Sequence, residues 1–439
     1  MRGGGVKIIV KDMKENTKTV KENGLPRKQN LLAKTIKKYE AKLQKAILLV
    51  IITQLCVSCG KENELYKDIP KEYHAKLDSV FAVAGDNSEQ LKKAIKGVPK
   101  EQKEAMAFLI SYMPERDLTT LSADFLIENV TYAFKAKEKF SWAKNLPKEI
   151  FFNEVLPFAT LNETRDNWRK DFFERFSKYV ENAPDIFAAI DAVNQNIRDE
   201  VLVDYSTTRE KADQSPYESM RQNVASCTGL SILLTAAFRS VGIPSRIAGT
   251  PNWYDKRGNH NWCEVWADGK WYFTEYYPDA LNRSWFLSSA GMADSNSREH
   301  AIFATSFKPT GITFPLVWDK NIDYVFAENV TRRYIEIYNE QQNEKLQSDD
   351  FIAVRVRFID NTVEESDKRI AVNIDVFDTV GNQVDGGRTS DVTKDLNNFL
   401  TFILRKNHDY IFRYSLENGK NLEHKFRTKD TEMLIELEK

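Results

Sequence analysis

Cysteine, histidine and acidic residues follow one another across Ser226–Phe286 in an order that fits nucleophilic catalysis. Cys227 stands near the start of SCTGLSILLTAAFRSVGIPSRIAG and His260 near the start of NHNWCEVWADGKWYFTEYYPD, where Glu275 and Asp279 come later. A thiolate can attack a carbonyl carbon, an imidazole can move the proton, and a carboxylate can orient the imidazole. The reaction type that such a set supports is acyl transfer. The stretch also holds five of the chain's eight tryptophans. Trp253, Trp262, Trp266, Trp271 and Trp285 are candidates for a cleft wall, although aromatic residues in strands mostly enter a core.

The elements that must position these groups can be read from periodicity. Leu230, Leu233, Leu234, Ala237 and Val241 recur at helical spacing after Cys227, and Gly242 with Pro244 ends the run. Cys227 therefore falls at a helix N-terminus, where unpaired N–H groups and the helix dipole lower a thiol's pKa. The plainer alternative is a small buried cysteine. Asp268-Gly269 is a two-residue hairpin turn, pairing Ala267 with Lys270 and Trp266 with Trp271. Continued outward, that register puts His260, Trp262, Glu264 and Trp266 on the face of Glu275 and, past Pro278, Asp279. Either acid could orient His260, and Pro278 favours Glu275 because the strand is ending there. Cys263 has the opposite parity, which makes it a poor nucleophile and argues against a Cys227–Cys263 disulfide. Gln222 and Asn223, just upstream of Cys227, are candidate oxyanion or substrate-binding amides, and amides in that place also serve as caps. Trp253 and Trp262 are candidate substrate-binding residues.

At 439 residues, 42% of them hydrophobic, the chain is long enough for two or three folded domains. A formal net charge of −1 offers no global attraction for nucleic acid. Neither a Gly-rich phosphate loop nor an HExxH motif appears, so no cofactor and no metal site is expected.

The three linked motifs, SCTGLSILLTAAFRSVGIPSRIAGTP, HNWCEVW and DGKWYFTE, together resemble the transglutaminase-like superfamily. The resemblance covers about residues 200–290. It implies a papain-like Cys-His-Asp fold with Cys227 as nucleophile, His260 as base and Glu275 at the third position. The family usually carries aspartate there, which leaves Asp279 as the alternative third member. It also implies a thioester on Cys227, hydrolysed by water or passed to an amine, with a peptide, amide or glycopeptide as substrate. A catalytically silent module that binds a peptide or glycan is the competing reading.

The flanks set the rest of the organisation. Residues 1–45 are lysine-rich and lead into the apolar run AILLVIITQLCV, Ala46–Val57, before Ser58-Cys59-Gly60. As a helix the run would measure only about 18 Å, short of a bilayer core. It resembles a bacterial lipoprotein signal with Cys59 as the lipidated residue. That implies export to the cell envelope and a membrane partner through a lipid anchor.

Residues 60–200 read as a helical region, with Pro99, Pro114 and Pro147 as breaks. Residues 201–318 are expected to form the transglutaminase-like domain. Residues 319–439 open with a connecting strand over Asp319–Tyr338 and continue as alternating strands with Asn, Gly and Asp turns, an all-β, immunoglobulin-like antiparallel sandwich. The fold class expected is α+β.

Overall fold

The structure is a computed structural model, and it describes residues 64–439 apart from 278–279, 365–366 and 417. Contacts divide the chain into Met1–Lys67 and Asp68–Lys439, and every element below belongs to the second unit. The basic leader, the apolar run and Cys59 lie outside the described residues.

The helical region begins with α1 (Lys71–Ala84), α2 (Ser88–Gly97), α3 (Lys103–Tyr112) and α4 (Ala123–Lys139). It ends with α5 (Arg169–Val180) and α6 (Ile186–Val201). Tyr73, Leu77, Phe81 and Ala84 of α1 are buried, one face of an amphipathic helix. Pro99, Pro114 and Pro147 each immediately precede a short helical turn, where the missing N–H costs nothing.

Between α4 and α5 the chain is largely irregular, and two buried arginines satisfy its carbonyls. The Arg169 guanidinium donates to the carbonyls of Val155, Leu156, Pro157 and Arg239. Arg239 donates to those of Glu154, Pro157, Ala159 and Ser245. These bonds fasten the helical region to the helix that carries Cys227.

After β1 (Asp204–Tyr205), α7 (Pro216–Gln222) and β2 (Val224–Ala225), that helix is α8, Cys227–Ser240. It packs on a five-stranded antiparallel sheet of β3 (Ser245–Thr250), β4 (His260–Ala267), β5 (Lys270–Thr274), β6 (Phe303–Ser306) and β7 (Phe326–Asn329). The strand order is β5-β4-β3-β6-β7. The Asp268-Gly269 hairpin has the expected register, Ala267 opposite Lys270 and Trp266 opposite Trp271. A short helix, α9 (Leu287–Gly291), follows β5 and its loop.

The expected connecting strand over Asp319–Tyr338 is a strand only at β7, and Thr331–Gln347 is helix α10. Tyr334 is fully buried, and Ile337 and Tyr338 pack against the same cluster, the three- and four-residue spacing of a helix face. A domain boundary at 318/319 would part β7 from the sheet it closes.

From Phe351 onward the chain is β-structure. β9 (Asn373–Asp378), β10 (Gln383–Arg388), β12 (Asp409–Ser415) and β13 (Asn421–Arg427) form one antiparallel sheet. β8 (Phe351–Ile359), β11 (Leu400–Arg405) and β14 (Met433–Glu438) form a second. Val354, Val356 and Phe358 from one sheet share a hydrophobic cluster with Ile374, Val376 and Phe412 from the other. One pair departs from the expected antiparallel arrangement, because β14 runs parallel to β8. The molecule is thus a mixed helix-and-sheet protein built around the α8–β3–β4–β5 core.

Candidate active site

Cys227 is the first residue of α8. The Ser226 hydroxyl caps the helix, accepting from Gly229 N–H at 3.1 Å while donating to the Ala212 carbonyl at 2.6 Å. The hydroxyl of Ser231, one turn on, lies 2.8 Å from the Cys227 carbonyl and 3.1 Å from that of Asn261. This ties the first turn of α8 to the start of β4.

Gly249, opposite Asn261, lets the two strands close here. A Cβ at 249 would fall 1.9 Å from Asn261 Oδ1 and 2.8 Å from the His260 carbonyl oxygen. The Asn261 amide in turn donates to Thr228 Oγ1 at 2.7 Å.

His260 begins β4. Its Nε2 lies 2.8 Å from Glu275 Oε1, which leaves Nδ1 for the Cys227 thiol beside it. Glu275 is the residue after the last of β5, and its other oxygen, Oε2, accepts from the Ser284 hydroxyl. Its backbone carbonyl accepts from Asn194 Nδ2 on α6 at 2.8 Å. Asp279, the alternative partner, lies outside the described residues.

The electrostatics follow from these contacts. Burial disfavours the Cys227 thiolate, but the bonds from His260, Asn261 N–H and Thr228 outweigh it and hold the thiol below its ordinary value. Burial likewise disfavours the imidazolium, and the bonds to Cys227 and Glu275 reverse that and raise His260 to about 10. Each partner's contacts therefore favour the charged form of the other, thiolate beside imidazolium.

Cys263 is the contrast. It is fully buried on the other face of β4, beside Thr235 Oγ1 at 3.3 Å, and burial pushes its thiol up to about 12. Both cysteines are free.

Behind the imidazole is an aromatic and charged layer. The His260 ring stacks on Trp262 with centroids 5.6 Å apart. The Trp262 indole N–H donates to Tyr334 Oη at 2.6 Å, and Tyr334 donates to Glu264 Oε1 at 2.7 Å. Glu264 is also bonded by Arg246 and Arg333, which overcome its burial and hold its carboxyl low. Glu264 thus serves to brace the layer under His260.

An open cleft of about 470 Å³ exposes Cys227, His260 and Glu275. Trp253 and Trp262 form its inner wall and stack on each other at 5.8 Å. Tyr205, Tyr277 and Trp285 line its mouth, and each is about half exposed. A larger cavity of about 1180 Å³ lies on the C-terminal sheets and shares only Arg257 with this cleft, so volume alone does not locate the chemistry. Gln222, at the end of α7, is outside the cleft lining. Its Oε1 accepts from Glu210 N–H at 3.2 Å, and its buried Nε2 has no partner. Asn223 adopts a left-handed conformation and donates to the Leu202 carbonyl at 2.9 Å, a turn role. Trp266 and Trp271 lie outside the cleft lining, with the Arg246 guanidinium 3.9 Å above the Trp271 ring.

Residue-type reasoning did not single out Asn194, Ser284 or Tyr334. Asn194 and Ser284 reach Glu275 from elsewhere in the chain, with no local pattern to reveal them. Tyr334 lies in a segment expected as a strand, whose aromatic and β-branched residues suit either state, and it forms part of helix α10.

Residues 174–276 match the transglutaminase-like superfamily. This domain runs from α5 to Tyr276 and contains Cys227, His260 and Glu275. Among solved structures the chain is similar to one provisionally described as a cysteine protease from Cytophaga hutchinsonii. That match has 15% identity over 33% of this chain and 47% of that one, with a TM-score of 0.26. Red sea bream transglutaminase matches at 9% identity over 67% and 63%, with a TM-score of 0.26. The Bacillus anthracis TIE protein matches at 10% identity over 45% and 30%, with a TM-score of 0.16. The chain spans less than two thirds of each of these structures. A comparison with curated proteins finds no match.

Proposed function

We propose that the protein is a cysteine-dependent acyl-transfer enzyme that hydrolyses peptide or amide bonds through a thioester on Cys227. The observation that carries this is the array of Cys227, His260 and Glu275 in one open cleft, with the Glu275 carboxylate 2.8 Å from the imidazole. The thiolate attacks the carbonyl carbon, forming the C–S bond and an oxyanion. The unpaired backbone N–H groups of the first turn of α8 are the donors for that charge. His260 then gives its proton to the leaving amine as the C–N bond breaks. Water attacks the thioester, His260 takes a water proton, and the carboxylic acid leaves with the thiolate restored. An amine in place of water would give transamidation.

This reading extends to the flanks of the chain. The chain is an exported lipoprotein anchored through Cys59, and radiolabelled palmitate should mark it unless Cys59 is replaced. The C-terminal sheets act as an immunoglobulin-like binding module or spacer beside the catalytic domain.

The test is mass spectrometry of the protein with a panel of peptide and amide substrates, with and without a competing free amine. An acyl adduct on Cys227 and released acid are expected. Substrate bound without an adduct, at every pH, would instead mark a silent binding module.

A further inference from the structure

Loop 251–259, which joins β3 to β4, has two sides. Trp253, Arg257 and Asn259 face the Cys227 cleft, whereas Tyr254 and Lys256 face a separate cavity of about 660 Å³. The far wall of that cavity comes from the C-terminal sheets, with Arg388 at the end of β10 and Lys394 in the loop that follows. The two walls are fastened together. Arg257 bonds Asp255 and Asp375, and Asn373 Nδ2 donates to the Asp255 carbonyl at 3.1 Å.

The charge in this cavity is not balanced. Arg388 donates to Asn373 Oδ1 at 2.7 Å, and among the described residues neither it nor Lys256 nor Lys394 enters an ion pair. Asp391 is the one carboxylate on the wall; its Oδ1 is taken by the N–H and hydroxyl of Thr393, and its charge attracts Lys394 and Arg388 without a close ion pair to either. His300 also lines the cavity, with its ring against Tyr254 and its Nδ1 3.1 Å from the Asn252 carbonyl. Three cations thus share one acid, an excess of positive charge in a chain whose net charge is −1. A guanidinium has five donors in a planar fork that matches a carboxylate, and Arg388 has one of them in use.

We propose that this cavity binds an acidic segment of the polypeptide on which Cys227 acts, with Arg388 as the anchor and Lys256 and Lys394 beside it. The inference rests on the reading of Cys227 as an acyl-transfer nucleophile. A chain lying in the cleft needs only to cross loop 251–259 to enter the cavity, so a single substrate can occupy both. Carboxylates placed beyond the reacting amide would then select substrates for this enzyme.

Fluorescein-labelled hexaglutamate provides the probe, titrated by anisotropy against the full chain carrying Cys227→Ala. Binding is expected at low salt and should weaken as salt screens it. Arg388→Gln should weaken it at least about tenfold, Arg388→Lys should keep part of it, and the triple Lys256→Gln, Arg388→Gln, Lys394→Gln variant should abolish it. Absence of binding, equal affinity in the triple variant, or binding of inorganic polyphosphate with none of hexaglutamate would each overturn the inference. Alkylation of Cys227 by iodoacetamide, measured on chains that retain the cysteine, separates the two ideas. A fast Cys227 with no hexaglutamate binding removes the exosite and leaves the enzyme reading intact. An ordinary Cys227 rate removes the enzyme reading itself.

Discussion

Glu275 reaches His260 at 2.8 Å from the first position beyond β5, while its other oxygen is held by Ser284 and its carbonyl by Asn194. A glutamate is one methylene longer than the aspartate usual at this position of the superfamily, and a longer side chain has more rotamers to lose. The two bonds to the acid group and the third to its backbone restrict that freedom. They hold the carboxylate against the imidazole.

Replacing Glu275 by Gln keeps the shape and removes the charge that favours the imidazolium. The thiolate of Cys227 should then be less populated at pH 7, and its alkylation by iodoacetamide slower by about tenfold. An Asp279→Ala variant should alkylate at the wild-type rate. Loss of reactivity only in the Asp279 variant would reassign the third member.

Ser284 is a positioning residue, acting through Glu275. Ser284→Ala should move the pH at which Cys227 becomes reactive upward, with Ser284→Thr restoring it and thermal unfolding little changed. A mere loss of stability with an unmoved pH profile would make Ser284 structural only.

The paired pKa shifts give activity a definite pH shape. The thiol is lowered by its bonds to His260, Asn261 and Thr228, so the ion pair forms as pH rises through a value below that of an ordinary cysteine. His260 is raised, so its proton is lost only as pH rises through about 10. Substrate turnover needs that proton for the leaving amine and should fall on this upper limb, whereas alkylation needs only the thiolate and should not. A turnover profile that rises without falling at high pH would count against His260 as the acid.

Tyr334→Phe removes the hydroxyl between Trp262 and Glu264, both fully buried. The unpaired indole N–H and carboxylate oxygen should cost about 1–3 kcal/mol in denaturant unfolding. Alkylation of Cys227 should persist, because the ring stacked on His260 stays in place. An unchanged midpoint would mean that the layer is not under load.

Much of the site is legible in residue order because it is built from local elements. The leucine stripe behind Cys227 sets α8, and Asp268-Gly269 sets a hairpin register that sends Cys263 away from His260. Glu275 was legible because that register extends by two-residue steps. What was not legible is what arrives from a distance. Ser284 and Asn194 meet Glu275 through a loop and a helix with no periodic link to β5. The strand expected before Tyr338 is instead α10, where β-branched and aromatic residues suit either state and packing under Trp262 decides for the helix.

The activated thiolate can be measured without knowing the substrate. At pH 7, iodoacetamide should modify Cys227 about tenfold faster than an ordinary exposed cysteine thiol. Cys263 should stay unmodified, and His260→Ala should return Cys227 to the ordinary rate. A Cys227 that reacts no faster than that thiol, and is indifferent to the loss of His260, would contradict the account.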